Sequence, residues 1–533
     1  MMDFKKMAAA FAAGGAILAA GAAYSLNHKK QQNPYVHSGQ GQRAFISGST
    51  LSALSAAALL IREYNFRGEN IHLLDCDGLF DGDACEAAGA ELFVHAQGFD
   101  CFWDLLRSIP SQQKKGASLK DDIILSAQEL SGSRCRVLMR NGEQVVLPER
   151  RLDRAQRRLL NRLMMEEEKQ LRGKSVEDWF ADDDSFVETD FWRLCASLYR
   201  IKESSSVSVL RALLCARSEQ MMHLDTMEDW MQLPADPGTA LIQPLITYLK
   251  GYGVQFHLNS EIMDIQFSDT CVLQARVLHM RSAHHVERIE LNADDLCIVT
   301  LGERTALAQK GDLHQIEAPR QEPAYPFWNR LAARRQEFAV DAVDPAEAAE
   351  GFFTVKMREG VLANALPAHA GLISFPDSNW GISLCVAPRS AQEEGVVIWG
   401  SALYPDACGD YVRRRMNECS GKDIVSELAH HLHNEERLDE IIRDLEDAKV
   451  MILPYAQGAK ISRQPHILDH PDAFTGNLAV LSPYHYRSEP WLEQEVHDAR
   501  DAVRTLMDQQ AGSRDAEGTL LQLGSAVQML RRY

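Results

Sequence analysis

The chain has no closely spaced cysteine pair, no Gly-x-Ser-x-Gly elbow, no His-Glu-x-x-His helix and no phosphate-binding P-loop. Its eleven cysteines are scattered singly from Cys76 to Cys419, which reads as reduced thiols rather than a zinc site or a disulfide framework. The missing motifs argue against a serine hydrolase, a zincin and an NTPase. Positive charge is also short. Lys and Arg number 56 against 75 Asp and Glu, a formal net charge of −19, so a nucleic acid would be repelled at long range and is excluded as a general partner. No internal repeat is visible. What remains is ordinary globular composition, 45% hydrophobic and 25% charged over 533 residues, enough for roughly two or three domains with real cores.

The most telling shortage is glycine at one particular turn. Phe45 to Leu60 reads as an apolar strand, a small-residue turn and a long apolar helix, and Ile71 to Asp75 follows as a second strand ending in an acid. This is the layout of a dinucleotide-binding βαβ unit, in which the acid reaches a ribose hydroxyl. The three fingerprint slots hold Ser47, Ser49 and Ser52, with Gly48 between the first two. Ser52 suits its slot, which asks only for a small residue where helix and sheet pack closely. Ser47 and Ser49 each place a Cβ and a hydroxyl where phosphates should pass, which weakens binding without excluding it.

Along the chain, Gln31 to Gln42 is a polar linker, Asp121 to Leu130 is helical, and Arg134 to Leu147 is a β-hairpin turning at Asn141-Gly142. Glu149 to Gln170 is an amphipathic helix with five arginines between Arg150 and Arg158, and its default reading is a solvated face. Helical character continues through Phe191 to Met222 and over Thr239 to Gly251. Strand character restarts at Val254 to His257, and Asp264 to Glu290 alternates as sheet. Leu296 to Thr300 is an apolar run without alternation, as a strand buried on both faces requires, and closes on Gly302. Further strands lie at Leu372–Phe375, Gly381–Val386, Val396–Trp399 and Leu478–Leu481, with helices over Asp423 to Leu445 and Glu489 to Gln509. The sheet is therefore discontinuous in sequence. The expected nucleotide domain draws on 43–130, 236–312 and 446–510; 131–235 and 313–445 form substrate or lid regions; 1–42 and 511–533 are an anchor with linker and a tail helix.

Met7 to Leu26 is an almost uncharged Ala- and Gly-rich run flanked by lysines. It is expected to anchor the protein on the cytoplasmic side of a membrane. A cleaved secretory signal, cut after Ala22 or Ala23, and a soluble surface helix compete with that reading. Asp75 to Asp83 carries four acids at spacing unlike a calcium loop. His430 and His433 share a helix face without a third ligand, so no metal is expected.

Several segments together carry a resemblance. Phe99 to Ser111 contains Cys101-Phe-Trp-Asp104 and Ser108-Ile-Pro-Ser111; Val176-Glu-Asp-Trp-Phe180 precedes Asp190-Phe-Trp192. Val299-Thr-Leu-Gly302, Asp377-Ser-Asn-Trp380, Trp399-Gly400 with Tyr404-Pro405, and Cys419-Ser-Gly421 follow in order. Over roughly Arg43 to Val503 the chain resembles the oleate hydratases, the fatty-acid hydratases also called myosin-cross-reactive antigens. The resemblance implies an α/β fold with a discontinuous, Rossmann-like FAD-binding domain and inserted helical and mostly β substrate domains. It also implies a long-chain unsaturated fatty acid as substrate, a membrane surface as workplace, and FAD as a structural and electrostatic cofactor; a homodimer is compatible with it. The cofactor contacts would be Ser47, Gly48, Ser49, Ser52, Asp75, Thr300 and Gly302.

The chain departs from the family pattern where catalysis should sit. The family's acid loop corresponds to Ala90 to Gln97, where Glu91 is the nearby carboxylate and Val94 occupies the acid slot. The family's tyrosine segment corresponds to Leu233 to Gly238, which has no tyrosine, and its late flavin loop is replaced by Ser482-Pro-Tyr484. Glu91 or His95 is then left to supply the proton and Tyr484 the hydroxyl. Three readings stay open: an FAD-requiring hydratase with altered site residues, a non-catalytic membrane-tethered lipid- or partner-binding protein, and a flavin or nicotinamide oxidoreductase.

Overall fold

The computed structural model describes residues 41–508 except 49, 76–92, 131–134, 184, 222, 234–237, 269–273, 283–284, 301–307, 320–325, 336–337, 339–348, 368–369, 388–394, 454–475 and 482–491. The strand Ala44–Ser47 is the centre of a five-stranded, wholly parallel sheet. Leu296–Thr300 and then Leu478–Leu481 lie on one side of it, Ile71–Asp75 and then Gln255–Leu258 on the other. The helix Leu51–Tyr64 connects the first two strands. Thr50 caps its start, and Asn65 ends it in the left-handed region at φ 53°. Ala53, Ala56, Ala57 and Ala58 are buried against the sheet, so their small side chains set a close helix–sheet approach. This is the Rossmann-like α/β frame expected from the sequence.

A three-stranded antiparallel sheet, Glu261–Phe267, Ala275–Ser282 and His285–Glu290, covers one face. The fully buried Asn477 ties it down: its amide donates to the carbonyls of Ala275 and Asp295, and its oxygen accepts from Ala275 N–H at 2.8 Å.

An eight-stranded sheet forms the second body. Its order is Gln309–Gly311, Leu445–Leu453, Glu350–Met357, Val396–Ala402, Ile382–Ala387, Ala370–Ser374, Cys135–Arg140 and Glu143–Gln144. The hairpin at its edge turns where expected, with Asn141 at φ 49° and Gly142 at φ 74°. One face of this sheet packs on the helix Gly421–His431 through Ile373, Leu384, Ile398, Ile424 and Leu428. Helices Arg154–Met165, Asp190–Tyr199 and Val207–Ala216 form a separate helical layer with its own core around Trp192, Phe186 and Leu163.

Two expected helices differ in extent. The arginine-rich helix begins at Arg154, because Asp153 and Gln156 close a reciprocal capping box there. The helix expected to reach Leu445 breaks after His431 and resumes over Leu438–Asp444; Leu445 already opens the strand that pairs with Glu350–Met357.

The expected membrane anchor needs correction. No helix among the described residues is long and apolar enough to cross a membrane. Met7 to Leu26 lies outside the described residues, and no N-terminal apolar anchor is shown. The placement on the cytoplasmic side of a membrane through such an anchor is therefore not upheld.

Candidate functional site

The carboxyl ends of parallel strands make the crevice in which an open α/β sheet binds ligands. Ser47, Asp75 and Thr300 end three neighbouring strands at that edge. Gly48 follows Ser47 with φ +115°, and its N–H donates to Leu74 O at 2.9 Å, which locks the turn against the second strand. A side chain here would be strained, so Gly48 supplies the sharp turn that the serines on either side cannot. Ser52 is 7% exposed, in keeping with its packing slot, and its hydroxyl lies 2.7 Å from that of Thr50. Ser49, Gly302, Glu91 and Tyr484 lie outside the described residues, as do the three further acids of the loop after Asp75; for Asp75 and Thr300 only the backbone is described.

The first-turn amides of this helix are unpaired donors at the positive end of its dipole, the place where a dinucleotide's pyrophosphate would bind. Two of them are already taken, that of Ala53 by the Thr50 hydroxyl and that of Ser52 by a carboxylate. Ser52 N–H donates to the Glu495 carboxylate at 3.0 Å. Glu495 belongs to the helix at 492–508, and Glu493 from the same turn caps a second helix, Asp100–Ser108, accepting from Cys101 N–H at 3.0 Å and Phe102 N–H at 2.9 Å. Farther along, Asp104 receives Arg62 at 2.9 Å and Arg500 at 2.5 Å. Burial would raise its carboxyl, but those two guanidinium groups outweigh it and hold Asp104 below the usual range. The late helix thus grips both the fingerprint helix and the Trp-Asp signature helix. The backbone frame fits a dinucleotide; the charge at its phosphate end does not, because an internal carboxylate stands where the phosphates' negative charge would go.

His95 lies on the short strand Phe93–His95, paired with Trp230–Gln232. It is buried, edge-on to the Trp230 ring, and its Nδ1 lies 3.1 Å from Gln97 N–H. Burial pushes its pKa below the ordinary value. The imidazole is therefore neutral at neutral pH and is a poor source of a proton there.

The histidine pair singled out in the sequence does not converge on a site. His430 Nδ1 contacts Glu435 at 2.7 Å, while His433 ends the helix at φ 51°. The buried neighbour His431 instead faces Asp410 and Glu427. Glu427 accepts from the backbone of Asp410, from Tyr411 at 3.0 Å and from Val412 at 2.8 Å, so it braces the loop between Tyr404 and Met416. Its oxygens are already spent on that loop.

The MCRA family matches residues 41–503. The chain belongs to the MCRA family. Over 444 residues this MCRA chain is 27% identical to the oleate hydratase of Streptococcus pyogenes serotype M49 (strain NZ131), covering 76% of the chain and 74% of that protein. Over 519 residues it is 24% identical to the linoleate hydratase of Lactiplantibacillus plantarum, covering 83% and 90%. Among solved structures, it resembles a CLA-producing fatty acid isomerase from P. acnes at 11% identity and a TM-score of 0.47, over 87% of this chain and 99% of that one. It also resembles reduced UDP-galactopyranose mutase at 12% identity and a TM-score of 0.44, over 87% and 93%.

Two features of this MCRA chain had no signal in its sequence. Glu493 and Glu495 meet their amides across 391 to 443 residues of chain, which no local pattern reports. Arg136 sits in an ordinary strand pattern, yet its guanidinium is buried at 3% exposure with Nε and Nη1 unpaired.

Proposed function

We propose that this chain is a fatty-acid hydratase that adds water across the cis double bond of a long-chain unsaturated fatty acid. One observation carries the reading: the family match spans residues 41–503, and both relatives named above are hydratases, one of oleate and one of linoleate. Hydration places a proton on one alkene carbon and the water oxygen on the other, and the proton released by water restores the acid, so electrons balance without net redox. Glu91 is the proton donor in this proposal, because His95 is neutral and engaged by Gln97. Tyr484 is the hydroxyl that positions water.

FAD is the proposed cofactor of the Rossmann-like frame, with Ser47, Gly48, Ser49, Ser52, Asp75, Thr300 and Gly302 as its cradle. The frame supports that assignment, while Glu495 on the Ser52 amide opposes it. The same opposition favours a second reading, in which the chain binds the lipid without turning it over. The two separate on incubating purified protein with oleate or linoleate, with and without added FAD, and looking by mass spectrometry for an acid heavier by one water. Accumulation of that hydroxy acid is expected. Fatty-acid binding without product under either condition overturns the hydratase reading in favour of the second.

A further inference from the structure

The two faces of the eight-stranded sheet differ. Side chains alternate along a strand, so Leu372 and Ser374 share the face opposite Ile373, which packs on the helix Gly421–His431. Arg136 reaches that same face: its Nη2 donates to Ser197 Oγ and to Ser374 Oγ, the latter at 3.4 Å. Ser383 extends the row, donating to Ser374 Oγ at 2.9 Å. Two residues beyond Ser383, Cys385 pairs across the sheet with Trp399. The indoles of Trp399 and Trp230 both pack on a small apolar cluster that includes Phe93, Leu372 and Cys385.

This face carries hydrogen-bond donors that nothing among the described residues accepts. Arg136 Nε and Nη1, Trp230 Nε1 and Trp399 Nε1 are all buried without a partner among the described residues. Among the described residues no carboxylate faces Arg136. Burial draws its guanidinium down to about 9, with only the Cys195 thiol and Tyr199 phenol pulling the other way. A buried cation without a counter-ion is costly, and native cores pair such groups or drop them. An anion that arrives with a ligand answers the deficit.

We propose that Arg136, with the two unpaired indole N–H groups at the same face of the sheet, receives the carboxylate of the long-chain fatty acid, whose first methylenes then lie along Leu372, Cys385 and Phe93. The unpaired Nε–H and Nη1–H offer charge-assisted donors to the carboxylate. The cluster of Phe93, Met227, Leu372 and Cys385 is buried and apolar, with the uncharged Gln232 amide against the Cys385 sulfur, which suits an acyl chain and not a second charge. This rests on the fatty-acid reading of the protein and adds the end of the molecule that is recognised.

The test compares oleate with oleyl alcohol, an equal chain lacking the carboxylate, by calorimetric titration of the full chain. Wild-type protein should bind oleate at least about tenfold more tightly than the alcohol, the ratio of one charge-assisted bond. Arg136→Met should erase that preference and leave alcohol binding unchanged. Without ligand it should melt no lower than wild type, because it removes a buried charge that has no counter-ion among the described residues. A variant that keeps the preference, or a marked fall in its melting temperature, overturns the assignment. The wild-type comparison stands whether or not the variant folds. Equal binding of acid and alcohol sinks the anchor and spares the hydratase reading; binding of neither sinks both.

Discussion

Replacing Glu495 by Gln is the sharpest perturbation this structure offers. The change keeps an oxygen able to accept the Ser52 N–H and removes only the charge. Two unit charges about 4 Å apart repel by about 4 kcal/mol at an effective dielectric near 20. Glu495 is only half-buried, so solvent and salt reduce that repulsion toward an incoming pyrophosphate to about 1–1.5 kcal/mol. The free protein also gives up a carboxylate at a helix N-terminus, typically about 0.3–1 kcal/mol, which no longer has to be displaced. Together these predict a rise in flavin affinity of roughly ten- to sixtyfold.

The assay is titration of FAD with protein, following quenching of flavin fluorescence, for wild type, Glu495→Gln and Glu493→Gln. Glu493 lies in the same turn but caps a different helix, so neutralising it changes net charge equally without clearing the fingerprint amide. Affinity should rise for Glu495→Gln and not for Glu493→Gln. An unchanged dissociation constant for Glu495→Gln refutes the reasoning, and an equal rise in both variants shows that net charge, not position, is at work.

Three further outcomes concern stability. Glu493→Ala leaves the Cys101 and Phe102 amides without their acceptor beneath a side chain that is 4% exposed, and should cost about 2–3 kcal/mol in urea unfolding. Gly48→Ala forces an L side chain to φ +115° and should lose about 1–3 kcal/mol by the same measurement. Burial would raise the Glu427 carboxyl, but His431 and the Val412, Asp410 and Tyr411 amides hold it below its ordinary 4.5. Its contribution is therefore present above that value and lost as pH falls below it, so wild-type melting temperature should drop more steeply there than that of Glu427→Gln.

Much of the frame was legible because its signals are local. Leu296–Thr300 is buried on both faces and reads as such; Asn141-Gly142 dictates its own turn; the alanines of Leu51–Tyr64 announce close packing. Leu445–Leu453 was not legible as a strand, because it follows Asp444 directly, with no glycine or proline to mark the change from helical to extended backbone. The site suffers from a deeper limitation. Whether Glu495 is a solvated surface acid or a helix cap, and whether Arg136 has a counter-ion, depends on what tertiary structure brings up against them. Likewise, sequence alone assigned His430 and His433 to a common face and passed over His431, the one whose ring is buried.

The two charges at the proposed site are opposite in sign and opposite in circumstance. At the fingerprint helix the protein supplies its own anion, so the positive helix end is already compensated before any cofactor arrives. At the large sheet it supplies a cation that has no anion among the described residues, so on the proposed reading Arg136 stays uncompensated until a carboxylate comes. A ligand that fills a deficit gains the full interaction, whereas one that must displace an internal group gains only the difference between the two. On the proposed reading the fatty-acid end is therefore poised to bind, and the dinucleotide end is not. On that reading a carboxylate meets an uncompensated charge, whereas a dinucleotide must first displace Glu495 from the Ser52 amide.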